Sequence, residues 1–212
     1  RSSPAQSLLI DLLATSGGRL APHVHMPLQS GADPVLKLMR RWHTREQYRV
    51  RVLELAERVS PLGLGADVIT GFPGESEHDH DSTRALIDEL PFTYLHVFPF
   101  SPRDGTVAVR LPHPVPQRVS GQRSRELREI AQAKGREYRE TRVGGSAEVV
   151  VEGDGGTALT GDYLRVGVGG ALRTAHHHEQ TGTLERLPTG TLQGDADHLY
   201  IALSQQPSVI SA

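Results

Sequence analysis

Cysteine is absent from the 212 residues of this chain, which excludes disulfides, thiolate zinc sites and cysteine-held iron–sulfur clusters within it. No apolar run approaches the length of a membrane span, and the first residues carry no signal-peptide pattern. A strong charge of either sign is also missing. The formal net charge is −2, so nothing pulls the whole chain toward nucleic acid or acidic membranes, and RNA affinity must come from a local patch. These absences predict a cytoplasmic protein with no membrane partner. The chain opens on Arg1 in mid-motif, and the expectation is that it begins inside a longer one. His176-His177-His178 is the one metal-type cluster. Consecutive histidines point in different directions on a strand or helix, so the run reads as a solvated loop and no metal site is expected there.

What is present is an alternation of helical and strand patterns. Ser3-Pro4-Ala5-Gln6 reads as a capping box with proline at the first helical position. Leu8, Leu9, Leu12 and Leu13 follow at helical spacing, and Gly17-Gly18 ends the helix. His23 to Leu28 reads as a strand whose loop is Gln29-Ser30-Gly31, and Asp33-Pro34 starts a short helix. Thr44 with Gln47 caps a longer helix with an inner face of Tyr48, Val52, Leu55, Ala56 and Val59. A β-branched run, Leu64 to Thr70, predicts a buried parallel strand. It leads straight into Gly71-Phe72-Pro73-Gly74-Glu75, a tight turn whose backbone can approach a ligand. Ser76 with Asp79 caps a helix to Leu90, and Tyr94 to Phe98 is the third strand.

The alternation predicts an α/β class with a parallel sheet, whose ligand sites lie at the C-terminal ends of the strands. Three parallel strands leave both edges unpaired and cannot close into a barrel, so further strands are expected from sequence upstream. Leu111 to Pro116 reads as a linker, and Gln117 to Arg142 as a long helix with interleaved acids and bases, mostly a solvated face. From Val143 the texture changes to short alternating segments around Ala147–Glu152, Tyr163–Val168 and Leu199–Leu203. That pattern predicts a small all-β barrel. The expected divisions are a first domain over 1–115, a linking helix over 116–142, the barrel over 143–205 and a tail over 206–212.

Four ordered motifs sit at these strand ends and helix starts: His23-Val24-His25-Met26-Pro27-Leu28-Gln29-Ser30-Gly31, Met39-Arg40-Arg41-Trp42-His43-Thr44, Asp67-Val68-Ile69-Thr70-Gly71-Phe72-Pro73-Gly74-Glu75 and Phe100-Ser101-Pro102-Arg103-Asp104-Gly105-Thr106. In this order and spacing they resemble the radical S-adenosylmethionine methylthiotransferases, and the β-rich end resembles the TRAM domain of those enzymes. The stretch Leu90 to Ser101 is most similar to the bacterial branch that modifies N6-threonylcarbamoyladenosine beside the tRNA anticodon. The resemblance implies the C-terminal half of a TIM-like radical barrel followed by a TRAM barrel. It also implies methylthio transfer to C2 of the base, with S-adenosyl-L-methionine and two 4Fe-4S clusters as cofactors. Cysteines hold those clusters in the family's first half, and the partner expected besides tRNA is that missing N-terminal half of the same enzyme, without which this chain is expected to be inactive.

Roles carry over by motif. Gln29, Ser30 and Gly31 could hydrogen-bond the ribose or amino-acid end of the cofactor, or simply cap their own loop. Asp67, in an apolar strand, needs a partner, either a cofactor or substrate hydroxyl or a structural arginine. Ile69, Gly71 and Phe72 would set backbone and apolar surface against the adenine, or form plain core. Arg41 could pair with the cofactor carboxylate, or form a surface ion pair. Arg103, Arg142 and Arg165 are the candidates for RNA phosphate. No residue of the chain is expected to be catalytic by itself. His80 replaces a usual aromatic and Asp104 a usual proline, both expected to be tolerable surface or helix changes, and the stretch 171–180 is atypical. Two other readings stay open: the sibling enzyme that methylthiolates an aspartate of a ribosomal protein, and a stand-alone RNA-binding module.

Overall fold

The computed structural model describes residues 4–152, 156–169 and 189–203, with side chains from residue 8 to 202. The His176–His178 run, the atypical stretch 171–180 and the tail lie outside them. Two compact units divide at Gly135 and Arg136.

In the first unit, helix α1 (Pro4–Thr15) precedes strand β1 (His23–His25), helices α2 (Asp33–Leu38) and α3 (Arg45–Arg58), strand β2 (Gly63–Thr70), helix α4 (Glu77–Glu89) and strand β3 (Tyr94–Pro99). The predicted alternation is present, and the strands lie parallel in the order β1-β2-β3. β1 is shorter than the expected run to Leu28. After His25 the chain stays beside β2, the Met26 N–H donating to the Gly65 carbonyl and the Leu28 N–H to the Asp67 carbonyl, and a further bridge pairs Gln29 with Val68.

Of the three predicted capping boxes, the one at Ser3 lies outside the described residues and the other two form. The Thr44 hydroxyl accepts from the Gln47 N–H while the Gln47 side chain accepts from the Thr44 N–H, and Ser76 and Asp79 do the same for α4. Each box satisfies two of the N–H groups left over at a helix start. α3 buries Tyr48, Val52 and Leu55, and α4 buries His80, Thr83, Leu86 and Ile87, one stripe each at helical spacing. These stripes meet Leu64, Ala66, Val68 and Val97 on one face of the sheet, with Leu127 from helix α5 (Gln117–Arg142) closing the cluster. Truncating Leu86, which is fully buried, would cost about 2–5 kcal/mol. α1 departs from its apolar pattern. Ile10 enters the core and Leu13 touches it, whereas Leu8, Leu9 and Leu12 stand exposed.

The opposite face of the sheet carries residues of the other parity. His25, Asp67 and Ile69 are partly exposed, and His96 and Phe98 are exposed. A parallel sheet normally shows near-continuous apolar character on both faces, and this one has it on one face only.

The second unit is a closed five-stranded barrel, β4-β5-β6-β8-β7. Its strands are β4 (Ser146–Glu152), β5 (Thr157–Thr160), β6 (Arg165–Gly169), β7 (Thr189–Gln193) and β8 (Tyr200–Leu203). Closure removes exposed edges. Ala147, Val149, Ala158, Leu164, Val166, Leu192, Leu199 and Ile201 fill the interior. All pairings are antiparallel except β6 with β8. The predicted small barrel is therefore present, consistent with a TRAM-like unit.

Candidate functional site

The partly exposed face of the sheet gathers the polar groups of the first unit. Opposite β2, Gly65 pairs with both His25 and Tyr94, and Asp67 pairs with His96. Alternation along each strand sends His23 and His25, Gly65 and Asp67, and Tyr94 and His96 to one side. Gly65 is indispensable there. A Cβ at this position would lie 2.0 Å from Cζ of Tyr94, so only glycine lets that ring lie across β2. The Tyr94 hydroxyl then reaches Nε2 of His23 at 2.8 Å and Nδ1 of His25 at 3.1 Å. From His25 the chain of contacts continues, its Nε2 standing 3.1 Å from Oδ1 of Asp67. The same carboxylate oxygen stands 3.3 Å from Nδ1 of His96. Burial, reinforced by the neighbouring His25, lowers the pKa of His23.

Asp67 thus finds its partners in two imidazoles and not in the structural arginine weighed as its alternative. Sequence reasoning singled out Asp67 alone. The missed signal is the alternation in His23-Val24-His25 and Tyr94-Leu95-His96, where a parallel strand should carry apolar residues at every position.

Gln29 closes the same surface at the end of β1. It holds a left-handed φ of +69°, uncommon for a residue with a side chain. Its N–H donates to the Asp67 carbonyl and its carbonyl accepts from the Ile69 N–H, at 2.8 and 2.9 Å. This ties the backbone turn to the strand bearing Asp67. Ile69 lies on the same face, two residues beyond Asp67.

Ser30 and Gly31 turn instead to α4. The Ser30 hydroxyl accepts from the Ala32 N–H and meets the Thr83 hydroxyl, while the Gly31 N–H donates to Thr83. A Cβ on Gly31 would lie 2.6 Å from Cα of Thr83, so the glycine admits the helix. The loop-capping alternative describes Ser30. Gly71, with φ +73°, is approached by Ser120 of α5, whose Cβ would lie 2.4 Å from a Cβ on the glycine. Its N–H donates to Glu75. The close approach expected at this turn is therefore made by a helix of the same chain. Phe72 is buried beside Ala32 and Val35 and meets the edge of Phe100. Arg41 is exposed, its N–H donating to the Leu36 carbonyl, and no carboxylate pairs with it among the described residues.

Glu75, the acid that ends the turn motif, is buried and holds the turn shut. One of its oxygens accepts from the Gly71 N–H at 2.6 Å and from the Arg123 guanidinium at 2.7 Å, and Arg123 also reaches Glu77. Arg123 therefore belongs to the interior and not to the solvated face expected of α5. His80 lies in α4, the helix setting of the two expected for it, and not on the surface. It is fully buried, with Nε2 against the Glu126 carboxylate at 2.9 Å. Asp104 does lie on the surface.

The three arginines expected to meet RNA have different settings. Arg103 is exposed in the loop after β3. Arg165 is exposed and makes two bonds to Glu152, at 2.8 and 3.2 Å. Arg142 is committed inside the barrel unit, where its Nε donates to Asp162 at 2.7 Å and Tyr138 donates to the same oxygen at 2.6 Å. Burial raises the Asp162 pKa, but the bonds from Tyr138, Thr160 and Arg142 outweigh it and hold the carboxyl below its usual value. Arg142 thus has a carboxylate partner within its own unit.

No family model matches the chain. Individual relatives do. The threonylcarbamoyladenosine tRNA methylthiotransferase MtaB of Treponema pallidum (strain Nichols) is 38% identical over 170 residues, 79% of this chain and 35% of that protein. Its namesake in Aquifex aeolicus (strain VF5) is 37% identical over 154 residues, 73% of this chain and 37% of the relative. The tRNA-2-methylthio-N(6)-dimethylallyladenosine synthase of Sorangium cellulosum (strain So ce56) is 42% identical over 161 residues, 74% of this chain and 31% of its own. The chain spans about a third of the length of the curated relatives it matches. All three relatives are named for methylthio modification of tRNA. The chain belongs, as a C-terminal part, to the radical S-adenosylmethionine methylthiotransferase family.

Proposed function

We propose that this chain forms part of an enzyme that adds a methylthio group to C2 of N6-threonylcarbamoyladenosine beside the tRNA anticodon. The observation that carries the reading is the set of four ordered motifs, three at the strand ends bordering one polar sheet face and one at the start of α3, in a chain whose relatives include two named for this nucleoside. The cofactor would be S-adenosyl-L-methionine, which supplies a radical and a methyl group when bound beside a reduced 4Fe-4S cluster. Thiolates for both clusters would come from the partner half of the enzyme, since this chain has no cysteine.

The residues present fit the cofactor. Ile69 offers partly exposed apolar surface and Asp67 an acceptor on the same face, while Gln29 holds its backbone in a left-handed turn at the edge. Arg41, exposed and without a carboxylate partner among the described residues, is the candidate for the cofactor carboxylate. Ser30, Gly31, Gly71 and Phe72 shape the surrounding turns through their contacts with α4, α5 and the small Phe100 cluster. Arg103 and Arg165 are the exposed candidates for tRNA phosphate, and small barrels of this kind suit oligonucleotides.

A second substrate is favoured by a specific observation, because relatives named for dimethylallyladenosine match as well, one at 42% identity. Deleting the gene in its own host and digesting total tRNA to nucleosides for mass spectrometry separates the two. Loss of the methylthio form of N6-threonylcarbamoyladenosine, restored by the gene, is expected. Loss of the methylthio dimethylallyl nucleoside instead selects the second substrate, and an unchanged profile refutes both.

A further inference from the structure

We propose that His25, Asp67 and His96 form a binding site for one divalent transition-metal ion of the zinc and cobalt kind. The proposal is independent of the cysteine-held clusters discussed above and does not require the methylthiotransferase reading. It rests on three side chains from three adjacent strands whose ligand atoms all lie within 4.8 Å of one another. Two imidazole nitrogens converge on a single carboxylate oxygen, at 3.1 and 3.3 Å. A tetrahedral ion with bonds of about 2.0–2.1 Å needs ligand atoms about 3.3–3.5 Å apart, so two of the three edges are already near that span.

The surroundings are those of a ligand set. His25 turns Nε2 toward the cluster and engages the Tyr94 hydroxyl with Nδ1. Such an outer contact fixes which ring nitrogen is free to bind metal. Tyr94 is itself held over β2 by the space at Gly65 and by His23. All three candidate ligands are partly exposed or exposed, so an ion can enter and a fourth position stays open for water or a small ligand. Two imidazoles and one carboxylate suit zinc, cobalt or iron(II), and not calcium or magnesium, which prefer oxygen alone.

The test is titration of the 212-residue chain, freed of metal by chelation, with Co2+ alone. We expect one ion per chain with the visible d–d bands of a four-coordinate site, displaced by Zn2+. His25→Ala, Asp67→Asn and His96→Ala should each weaken binding at least about tenfold, and Tyr94→Phe about tenfold through the outer contact. A variant with His176, His177 and His178 all changed to alanine should bind as before. Paramagnetic broadening of histidine ring signals by substoichiometric Co2+ needs no variant, and should fall on His25 and His96. Absence of the bands, broadening confined to residues 176–178, or binding that persists in a folded Asp67→Asn/His96→Ala double variant overturns the proposal.

Discussion

Removing Arg142 separates a structural role from an RNA-binding one. Its guanidinium leaves one carboxylate, Asp162, whose side chain is 2% exposed, while Arg142 itself is 11% exposed. Deleting one partner of a buried pair costs about 3–5 kcal/mol, since the other charge is left uncompensated. Asp162 would keep the Tyr138 hydroxyl, which places Arg142→Ala near the lower end, about 3 kcal/mol. A unit of this size has roughly 4–12 kcal/mol of stability in total, at about 0.05–0.15 kcal/mol per residue. The variant should therefore lose a large share of the barrel's stability. Amide hydrogen exchange of β4 and β5 reads that loss locally, without assuming that the two units unfold together. A second arm removes both charges: Arg142→Leu/Asp162→Leu should be less damaged than Arg142→Leu alone, because the uncompensated charge disappears. Exchange rates within about threefold of wild type for Arg142→Ala, combined with loss of affinity for an anticodon stem-loop, would refute the structural assignment and return this arginine to the RNA surface.

Gly71→Ala should destabilise the first unit by about 2–5 kcal/mol in urea unfolding followed by circular dichroism. The left-handed backbone costs about 1–2 kcal/mol and the overlap with Ser120 about 1–3 kcal/mol. Adding Ser120→Gly should restore only the second part. Ser76→Ala should cost about 1 kcal/mol by removing the N-terminal cap of α4, seen as a shift in the same urea midpoint. The barrel should lose stability on acidification. The Asp162 pKa is depressed in the folded state, so its contribution is complete above the unfolded value of about 3.9 and vanishes as pH falls through the lower folded value. Exchange measured from neutral pH down to pH 3 checks this, and Asp162→Asn should flatten the dependence.

The parts of the fold that follow from short-range chemistry are legible in the residue order. Thr44 with Gln47 and Ser76 with Asp79 announce two helix starts, and both boxes form. The strand around Ala66 follows from a β-branched run, that around Val97 from its place in the alternation of helix and strand, and the small barrel from alternation after Val143. Long-range partners are not legible in the same way. Ser30 and Gly71 stand in ligand-like loops, yet α4 and α5 occupy the space beside them, and no local pattern says which distant helix will arrive. Arg142 and Arg123 belong to a charged helix whose spacing does not reveal that Asp162 and Glu75 will enclose them. The histidine and tyrosine network is an intermediate case. Its alternation is visible in each strand, but its convergence requires the parallel register that brings Gly65 beside Tyr94 and Asp67 beside His96.

The order β4-β5-β6-β8-β7 has a consequence for synthesis. β6 finds its second neighbour only in β8, the last strand of the ring, and β7 joins the ring between β8 and β4. During translation the first three strands can form no more than an open meander with Val149, Ala158 and Val166 facing water. The apolar interior seals in one late event, when residues 200–203 clear the ribosome, so a nascent chain stalled before them presents a sticky half-ring to its neighbours.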